Sequence, residues 1–401
     1  MKKNKVLSVL LSSILAVLLM ISPSFAFFDE DIVKINTEKA SSYAVQPKAS
    51  PDVISKAANT IPNFEYKYFL LQLDDRLLKD AVALYEGITD FQSKIKLPEK
   101  VNADEAKMLI EVLRYECPEL IQLDNRTSYS IYSKSNLKTQ INSLGLEYIM
   151  TKEEYSSCLA ACNEVVESIA MNTLNLSDEQ KEIKAYEYIV KNTLYDADAL
   201  HASTAYGALI QKKAKCDGIS LAMKMIMDKM GVSCVVVPGI EDGETIGHAW
   251  NIIKINGNYY DLDITTDVGI ENQDGIMLYP AYNVSSTWIR SIYKPLPTVT
   301  KYFQMPGSST MGNSYYAKNN MFLYKGTNTD PYIKNLVAYA YQNGKAQYAM
   351  QFEDKAEYNA FVNSFEKKIK DEVYKYNLSG RYSAKFMEIY RVVLITVSIN
   401  N

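Results

Sequence analysis

Histidine is scarce in this chain, which has only two among its 401 residues, His201 and His248. His201 has no cysteine or acidic cluster at metal-ligand spacing, so a zinc site would have to draw on scattered cysteines. The sequence also lacks a glycine-rich phosphate loop, a dinucleotide fingerprint and a loop with calcium-ligand spacing. These absences disfavour metal-centred and nucleotide-dependent chemistry, and we predict no metal and no organic cofactor.

Long apolar runs are absent after the first 26 residues, so we expect no later segment to span a bilayer. The chain begins with three lysines among its first five residues, an apolar run over 6–21, and small residues up to Ala26. This is the layout of a secretory signal peptide cleaved after Ala26, and no cysteine follows to carry a lipid. We expect a secreted or cell-surface protein, with an uncleaved membrane anchor as the alternative.

Basic residues are too few to suggest a nucleic-acid partner. Without residues 1–26 the chain keeps 40 basic and 47 acidic residues, a net charge of −7. Such a balance repels a phosphate backbone. Apolar residues make up 47%, as is usual for a globular chain, and the length suggests two or three domains.

Cysteine is also sparse, and the five residues are an odd number. In an exported protein this fits one free catalytic thiol. We interpret Cys117, Cys158, Cys162 and Cys234 as core positions, because they lie in apolar patterns and because a disulfide along one helix face is geometrically poor. The sequence leaves any pairing among them open.

Cys216 lies at the start of an apolar helix. The residues after it that repeat at helical spacing are Ile219, Ala222, Met223, Ile226, Met227 and Met230. Gly231 is expected to close this helix. The sulfur then sits at the positive end of the helix, where unpaired backbone N–H groups stabilise a thiolate and can stabilise an oxyanion.

His248 lies on the first strand of a predicted hairpin, whose turn is Asn256-Gly257. Pairing across this turn sets the register and makes Asp263 the diagonal neighbour of His248 on one face of the ribbon. Diagonal neighbours lie within reach of an imidazole and a carboxylate. A thiol, an imidazole and a carboxylate are the groups needed for covalent acyl transfer.

Five segments in order between about 178 and 285 carry a family resemblance. They are Tyr195-Asp196-Ala197-Asp198-Ala199-Leu200, Thr204-Ala205-Tyr206-Gly207-Ala208-Leu209, Cys216-Asp217-Gly218, His248-Ala249-Trp250-Asn251 and Asp263. This pattern resembles the transglutaminase-like superfamily, in its bacterial secreted branch. The resemblance implies a papain-like α+β core, in which the helix carrying the cysteine packs on an antiparallel sheet, with small α/β regions before and after it.

The same resemblance implies roles for individual residues. Cys216 would be the nucleophile, His248 the general base and then acid, and Asp263 the residue that orients the imidazole. Tyr206 and Trp250 would be candidate oxyanion or pocket residues.

The sequence departs from the family pattern next to the nucleophile. The family usually has a small apolar residue before the cysteine and often glutamine or glutamate after it, whereas this chain has Lys215 and Asp217. Lysine favours a thiolate and aspartate opposes it, so the sequence does not give the direction of their combined effect on the reactivity of Cys216. A further departure, Ile264-Thr265-Thr266-Asp267, stands where Pro-Thr-Trp-Asp is common.

We predict five segments along the chain. These are a signal peptide over 1–26, a linker over 27–63, a mixed α/β domain over 64–150, a catalytic core over 151–290 and a C-terminal α/β extension over 291–401. Within them, capping boxes predict three helix starts, at Asn102 with Glu105, Thr151 with Glu154, and Ser177 with Gln180. Strands are expected over 118–123, 128–132, 346–352 and 391–399, with a helix between the last two.

Two functional classes remain open besides an exported enzyme acting on a protein or peptide, including a cell-wall peptide. The first is a catalytically inactive module that keeps the fold and binds or supports the cell envelope. The second is an adhesion protein whose flanking domains carry the function. Each candidate residue also has a structural interpretation when taken singly, since buried cysteine, packed histidine and turn aspartate are common.

Overall fold

The computed structural model describes residues 45–124, 127–133, 141–241, 247–274, 276–376 and 380–399. The predicted signal peptide and the first part of the predicted linker lie outside these residues. None of the described helices is long and apolar enough to cross a membrane. The five predicted segment boundaries stay a prediction.

Reciprocal hydrogen bonds cap three helices where the sequence predicts them. In each case the capping side chain accepts from the backbone N–H three residues later, and that residue's side chain accepts from the cap. This satisfies backbone donors that the first turn of a helix leaves unpaired. All three predicted helix starts are confirmed.

The N-terminal region combines helices with a small antiparallel sheet. Its elements are α1 (Pro51–Thr60), α2 (Asp75–Thr89), β1 (Lys94–Val101), α3 (Ala103–Glu116), β2 (Ser128–Ser133) and β3 (Ile141–Glu147), with the strand order β1-β3-β2. The strand predicted over 118–123 is wrong. That segment forms successive turns, because Leu120 N–H donates to Cys117 and Leu123 N–H donates to Leu120.

The central region places one buried helix against an antiparallel sheet. Its elements are α4 (Lys152–Met171), α5 (Asp178–Asn192), β4 (Leu194–Tyr195), a π-helical segment (Gly207–Gln211), β5 (Lys213–Ala214), α6 (Cys216–Lys229), β6 (Cys234–Glu241), β7 (Gly247–Ile255), β8 (Asn258–Leu262), α7 (Thr265–Asp274) and, later in the chain, β9 (Tyr293–Pro295). The strand order is β8-β7-β6-β9, with antiparallel neighbours, and β4 pairs parallel with β5. The apolar stripe of α6 packs into the same core as this sheet.

The β7–β8 hairpin has the predicted register. Ile255 pairs with Asn258, and the ladder continues outward to Asn251 with Leu262. Asn256 and Gly257 both have positive φ, at 51° and 86°, as a two-residue hairpin turn of this kind requires. The ladder stops at Leu262, so the last predicted pairs are replaced by the entry to α7.

The C-terminal region is built around a four-stranded sheet. Its elements are α8 (Ser286–Ile289), α9 (Pro297–Tyr302), α10 (Tyr315–Lys318), β10 (Phe322–Leu323), α11 (Asp330–Asn343), β11 (Lys345–Phe352), α12 (Lys355–Tyr374), β12 (Gly380–Met387) and β13 (Val392–Ile399), with strand order β10-β11-β13-β12. The predicted strand, helix and strand are confirmed as β11, α12 and β13. Helix α11 and strand β12 were not predicted from the sequence. The chain is therefore mixed α+β with mainly antiparallel sheets, which confirms the predicted class at that level.

Candidate active site

Cys216 is the first residue of α6, directly after the extended residue Lys215. The thiol residue is 7% exposed, so it lies just beneath the surface. Lys215 makes no side-chain cap, and the first N–H groups of a helix have no partner within the helix. This leaves backbone donors beside the sulfur, as the sequence predicts.

Hydrogen bonds fix α6 against β7 one turn beyond Cys216. The Ser220 hydroxyl donates to the Ala249 carbonyl at 3.2 Å, and the Asn251 side-chain amide donates to the Ser220 carbonyl at 3.0 Å. Because His248 directly precedes this anchored stretch, its ring is held near the start of the helix. The Cys216 thiol interacts with the His248 imidazole and contributes to raising its pKa.

His248 also meets the predicted carboxylate. Its Nε2 lies 3.0 Å from Oδ2 of Asp263, which is fully buried. Asp263 follows the end of the β8 ladder, and its backbone N–H donates to the Ala281 carbonyl at 3.0 Å. Since Nε2 faces Asp263, Nδ1 is the ring nitrogen left for the thiol. The structure thus brings Cys216, His248 and Asp263 together in one group.

The electrostatics of this group favour a charged pair. Burial lowers the pKa of His248, but the charge and hydrogen bond of Asp263, with a further contribution from Cys216, outweigh burial and raise that pKa to about 10. Burial raises the pKa of Asp263, but His248 and two hydrogen-bond donors, Tyr390 and the Thr265 N–H, bring it below its usual value. Both shifts favour an imidazolium beside a carboxylate at neutral pH.

Aromatic rings support the imidazole. The Tyr293 ring stacks on the His248 ring with centroids 4.1 Å apart, and the centroid of the Trp250 ring lies 5.8 Å from that of Tyr293 and 6.3 Å from that of His248. Trp250 is 1% exposed, and its indole N–H donates to Asp261 at 2.8 Å. The indole N–H is therefore already hydrogen-bonded within the protein. The suggested oxyanion or pocket role of Trp250 stays a prediction.

Tyr206 lies in a different group of side chains. Interaction with Cys158 of α4 is the largest cause that raises the pKa of Tyr206 to about 12, and the Tyr206 ring packs edge-on against His201 with centroids 5.6 Å apart. The His201 Nδ1 is 4.0 Å from the Asp124 carboxylate. The suggested oxyanion or pocket role of Tyr206 stays a prediction.

The sequence analysis did not predict that Arg114 lies beside the candidate site. Its Nη2 lies 2.5 Å from the carboxylate of Asp217, the residue after the candidate nucleophile, and Lys215 Nζ lies 3.5 Å from the same carboxylate. Two cations therefore surround the one anion next to Cys216. No local pattern could have indicated this partner, because Arg114 precedes Asp217 by 103 positions.

Tyr195 lies at the rim of the candidate site. It belongs to β4, whose partner strand β5 leads directly into Lys215 and Cys216. Burial raises the pKa of Tyr195. Electrostatic interactions with Cys216, Asp217 and Asp263 raise it further. Tyr195 is nevertheless 48% exposed, which leaves an aromatic surface beside the thiol.

All five cysteines lie in the described part of the chain, and each is unpaired. Among the described residues, no group of three or more histidine, cysteine, aspartate or glutamate side chains is arranged to hold a metal ion. The free thiol at position 216 is thus accompanied by four others, of which only Cys158 is not buried.

Comparisons with known proteins give low similarity. No protein-family model matches the chain, and no curated protein matches its sequence. Similar solved structures include a candidate cysteine protease from Cytophaga hutchinsonii, at 12% identity and a TM-score of 0.23 over 34% of this chain and 61% of that one. A structure named as a TGase has 17% identity and a TM-score of 0.26, over 59% of each chain.

A third similar structure is a candidate protease from Parabacteroides distasonis, at 8% identity and a TM-score of 0.25, over 69% of this chain and 62% of that one. The match therefore spans about three fifths of the length of each of these three proteins. At such TM-scores we draw no conclusion about activity from the similarity, and the geometry of the site is what bears on function.

Proposed function

We propose that this chain is an exported transglutaminase-like enzyme that uses Cys216, His248 and Asp263 for thiol acyl transfer on an amide. The observation that carries the proposal is the His248 imidazole, which lies 3.0 Å from the buried Asp263 carboxylate and also interacts with the Cys216 thiol at the start of α6. A packed core histidine needs only one partner. Here the imidazole has both an acid and a thiol as partners, as a nucleophile, base and orienting group require.

In the first step the Cys216 sulfur attacks the carbonyl carbon of the amide. The carbonyl oxygen becomes an oxyanion, which the backbone N–H groups at the start of α6 can stabilise. As the carbon–nitrogen bond breaks, the His248 imidazolium gives its proton to the leaving amine. The product is a thioester on Cys216, and the imidazole is neutral.

In the second step an acceptor attacks the thioester. The neutral imidazole takes a proton from an amine or a water molecule, the new bond forms, and the carbon–sulfur bond breaks to restore the thiolate. An amine acceptor gives a cross-link of the glutamine–lysine type, and water gives amide or peptide hydrolysis. The exposed aromatic surface of Tyr195 favours a protein or peptide substrate, which export would place at the cell envelope.

The test of this proposal is the rate at which iodoacetamide alkylates each cysteine across a range of pH, followed by peptide mass spectrometry. Cys158 is the internal control, since it is the more exposed thiol. Exposure alone predicts that Cys158 reacts first. Activation by His248 predicts instead that Cys216 reacts first at neutral and mildly acidic pH, and that His248→Ala removes this advantage.

Activity is then measured with an amide substrate, as ammonia release and as incorporation of a fluorescent primary amine. Cys216→Ala should abolish both signals and Cys158→Ala should leave them unchanged. If alkylation of Cys216 is slow and does not change in His248→Ala, the proposed thiol acyl transfer is refuted. That result would support the alternative of a catalytically inactive, envelope-binding module.

A further inference from the structure

The turn between β12 and β13 carries a tyrosine into the candidate site. Tyr390 is 4% exposed, and its ring stacks on Trp288 of α8 with centroids 6.0 Å apart. The turn closes tightly, with Arg391 at a φ of 54° and its N–H donating to the Glu388 carbonyl. The turn therefore buries the Tyr390 side chain against α8.

The Tyr390 hydroxyl makes three hydrogen bonds there. It donates to Oδ2 of Asp263 at 2.8 Å, accepts from the Thr266 hydroxyl at 2.6 Å, and lies 2.7 Å from the Tyr293 hydroxyl. The Asp263 oxygen that it reaches is also the one that faces His248 Nε2. Tyr390 thus touches the orienting carboxylate and reaches the tyrosine that stacks on the imidazole.

Asp263 needs such a donor because of where it lies in the fold. The β8 ladder ends one residue earlier, so strand pairing does not hold its side chain. Its Oδ1 accepts from the Thr265 N–H at 3.1 Å, which leaves Oδ2 to be fixed by His248 and Tyr390. A fully buried carboxylate with a single neighbour on that oxygen could rotate away from the imidazole.

The backbone at Tyr390 is itself held in place. The side-chain amide of Gln351, on β11, donates to the Tyr390 carbonyl at 3.1 Å and to the Pro280 carbonyl at 2.7 Å. Gln351 is fully buried. The amide joins the turn to the segment that follows α7, next to the strand end that carries Asp263, so the hydroxyl is presented from a rigid support.

We propose that Tyr390 is a positioning residue for the triad, acting on His248 through Asp263, and that the C-terminal sheet is therefore part of the active site. This rests on the proposed function, because it gives Tyr390 a role only if Cys216 is activated by His248. The Tyr390 hydroxyl fixes the Asp263 carboxylate oxygen, and the carboxylate orients the imidazole toward the thiol. Tyr293 contacts both the Tyr390 hydroxyl and the His248 ring.

The experiment measures iodoacetamide alkylation of Cys216 at neutral pH in the full chain. Tyr390→Phe removes the hydroxyl and keeps the ring on Trp288. The matched control is Tyr316→Phe, which also removes a buried tyrosine hydroxyl, one that donates to the Leu278 carbonyl at 2.9 Å. We expect alkylation to slow about tenfold in Tyr390→Phe, the size of one hydrogen bond to a charged group, and to change less than about twofold in the control.

A double variant separates positioning from general destabilisation. Asp263→Asn should slow alkylation by itself, and adding Tyr390→Phe should slow it no further, because Tyr390 acts through that carboxylate. Independent, multiplying effects would overturn the inference, as would wild-type rates in Tyr390→Phe. Thermal unfolding of both tyrosine variants shows whether they lose similar stability, so that a rate difference between them cannot come from unfolding.

The two proposals fail in different ways. If Cys216 in the wild type reacts no faster than Cys158, and Asp263→Asn has no effect, the triad itself is refuted and the role of Tyr390 falls with it. If Asp263→Asn slows alkylation while Tyr390→Phe does not, the triad stands and only the positioning role is refuted.

Discussion

The guanidinium of Arg114 lies 2.5 Å from the carboxylate of Asp217, the residue directly after Cys216. This ion pair ties α3 of the N-terminal region to the first turn of the helix that carries the thiol. It also answers the question left by the sequence, where Lys215 and Asp217 had opposite effects. With Arg114 present, the Asp217 carboxylate faces two cations, so its negative charge beside the sulfur is balanced.

Arg114→Met should slow alkylation of Cys216 at neutral pH by about three- to tenfold, since it leaves a half-paired carboxylate beside the sulfur. The double variant Arg114→Met with Asp217→Asn removes both charges and should recover most of the rate. The control is Arg76→Met, which breaks a comparable ion pair with Glu105 at 2.6 Å. Equal slowing in both single variants would point to general destabilisation instead.

His248 should titrate far above ordinary histidine. Burial lowers the pKa of His248, but Asp263 outweighs burial and raises that pKa to about 10. Because the chain has only two histidines, NMR of the imidazole Cε1–H groups gives one signal from each, and His201→Gln assigns them. We expect the His248 signal to titrate near pH 10 in the wild type and at clearly lower pH in Asp263→Asn. An unchanged midpoint in that variant would rule out the carboxylate as the cause.

The same pair should make stability depend on pH. A histidine whose pKa is higher in the folded protein stabilises it fully below the unfolded value, 6.5, and the contribution is lost as pH rises through the folded value, about 10. Urea unfolding should therefore show the wild type losing stability over this range. In His248→Gln that part of the loss should be missing, and a parallel decline in both proteins would contradict the assignment.

Tyr293 should contribute to the charge on His248 through its ring. A π-face over an imidazolium stabilises the cation by about 0.5–2 kcal/mol. Tyr293→Leu should therefore lower the His248 midpoint in the NMR titration, by roughly one pH unit. Tyr293→Phe keeps the ring and should lower it less. If phenylalanine and leucine have the same effect, the Tyr293 hydroxyl rather than the stacked ring is responsible.

Gly218 should be required for the position of Cys216. A Cβ there would clash with the Ala202 carbonyl oxygen and lie 2.9 Å from that of Thr204, so backbone would have to move. The Ala202 carbonyl also accepts from the Lys215 N–H at 3.0 Å, directly before the thiol. We expect Gly218→Ala to cost about 1–3 kcal/mol of unfolding free energy and to slow Cys216 alkylation.

Gly269→Ala is the matched control for that substitution, because nothing lies within 4 Å of a Cβ built there. It lies in α7, where alanine is the better helix former, so stability should be unchanged or slightly higher. Thermal unfolding of both variants checks the pair. A tolerated Gly218→Ala would mean that the 201–206 loop can move without disturbing the site.

Local sequence patterns predicted much of this structure. The three capping boxes set helix starts, because a side chain that accepts from the N–H three residues later defines where a helix can begin. The Asn256-Gly257 turn set the register of the β7–β8 ladder, which ends one residue before Asp263. The strand predicted over 118–123 failed because its apolar residues are buried in successive turns, and burial alone does not distinguish a strand from a turn.

By itself, the sequence determined the helix that begins at Cys216 and the hairpin that aligns His248 with Asp263, because both depend on residues close together in the chain. Only the tertiary structure decided that Arg114 neutralises Asp217 and that Tyr390 holds Asp263. Those partners are separated by 103 and 127 positions. Periodicity and turn chemistry report local geometry, whereas a contact across such distances exists only after whole layers have packed.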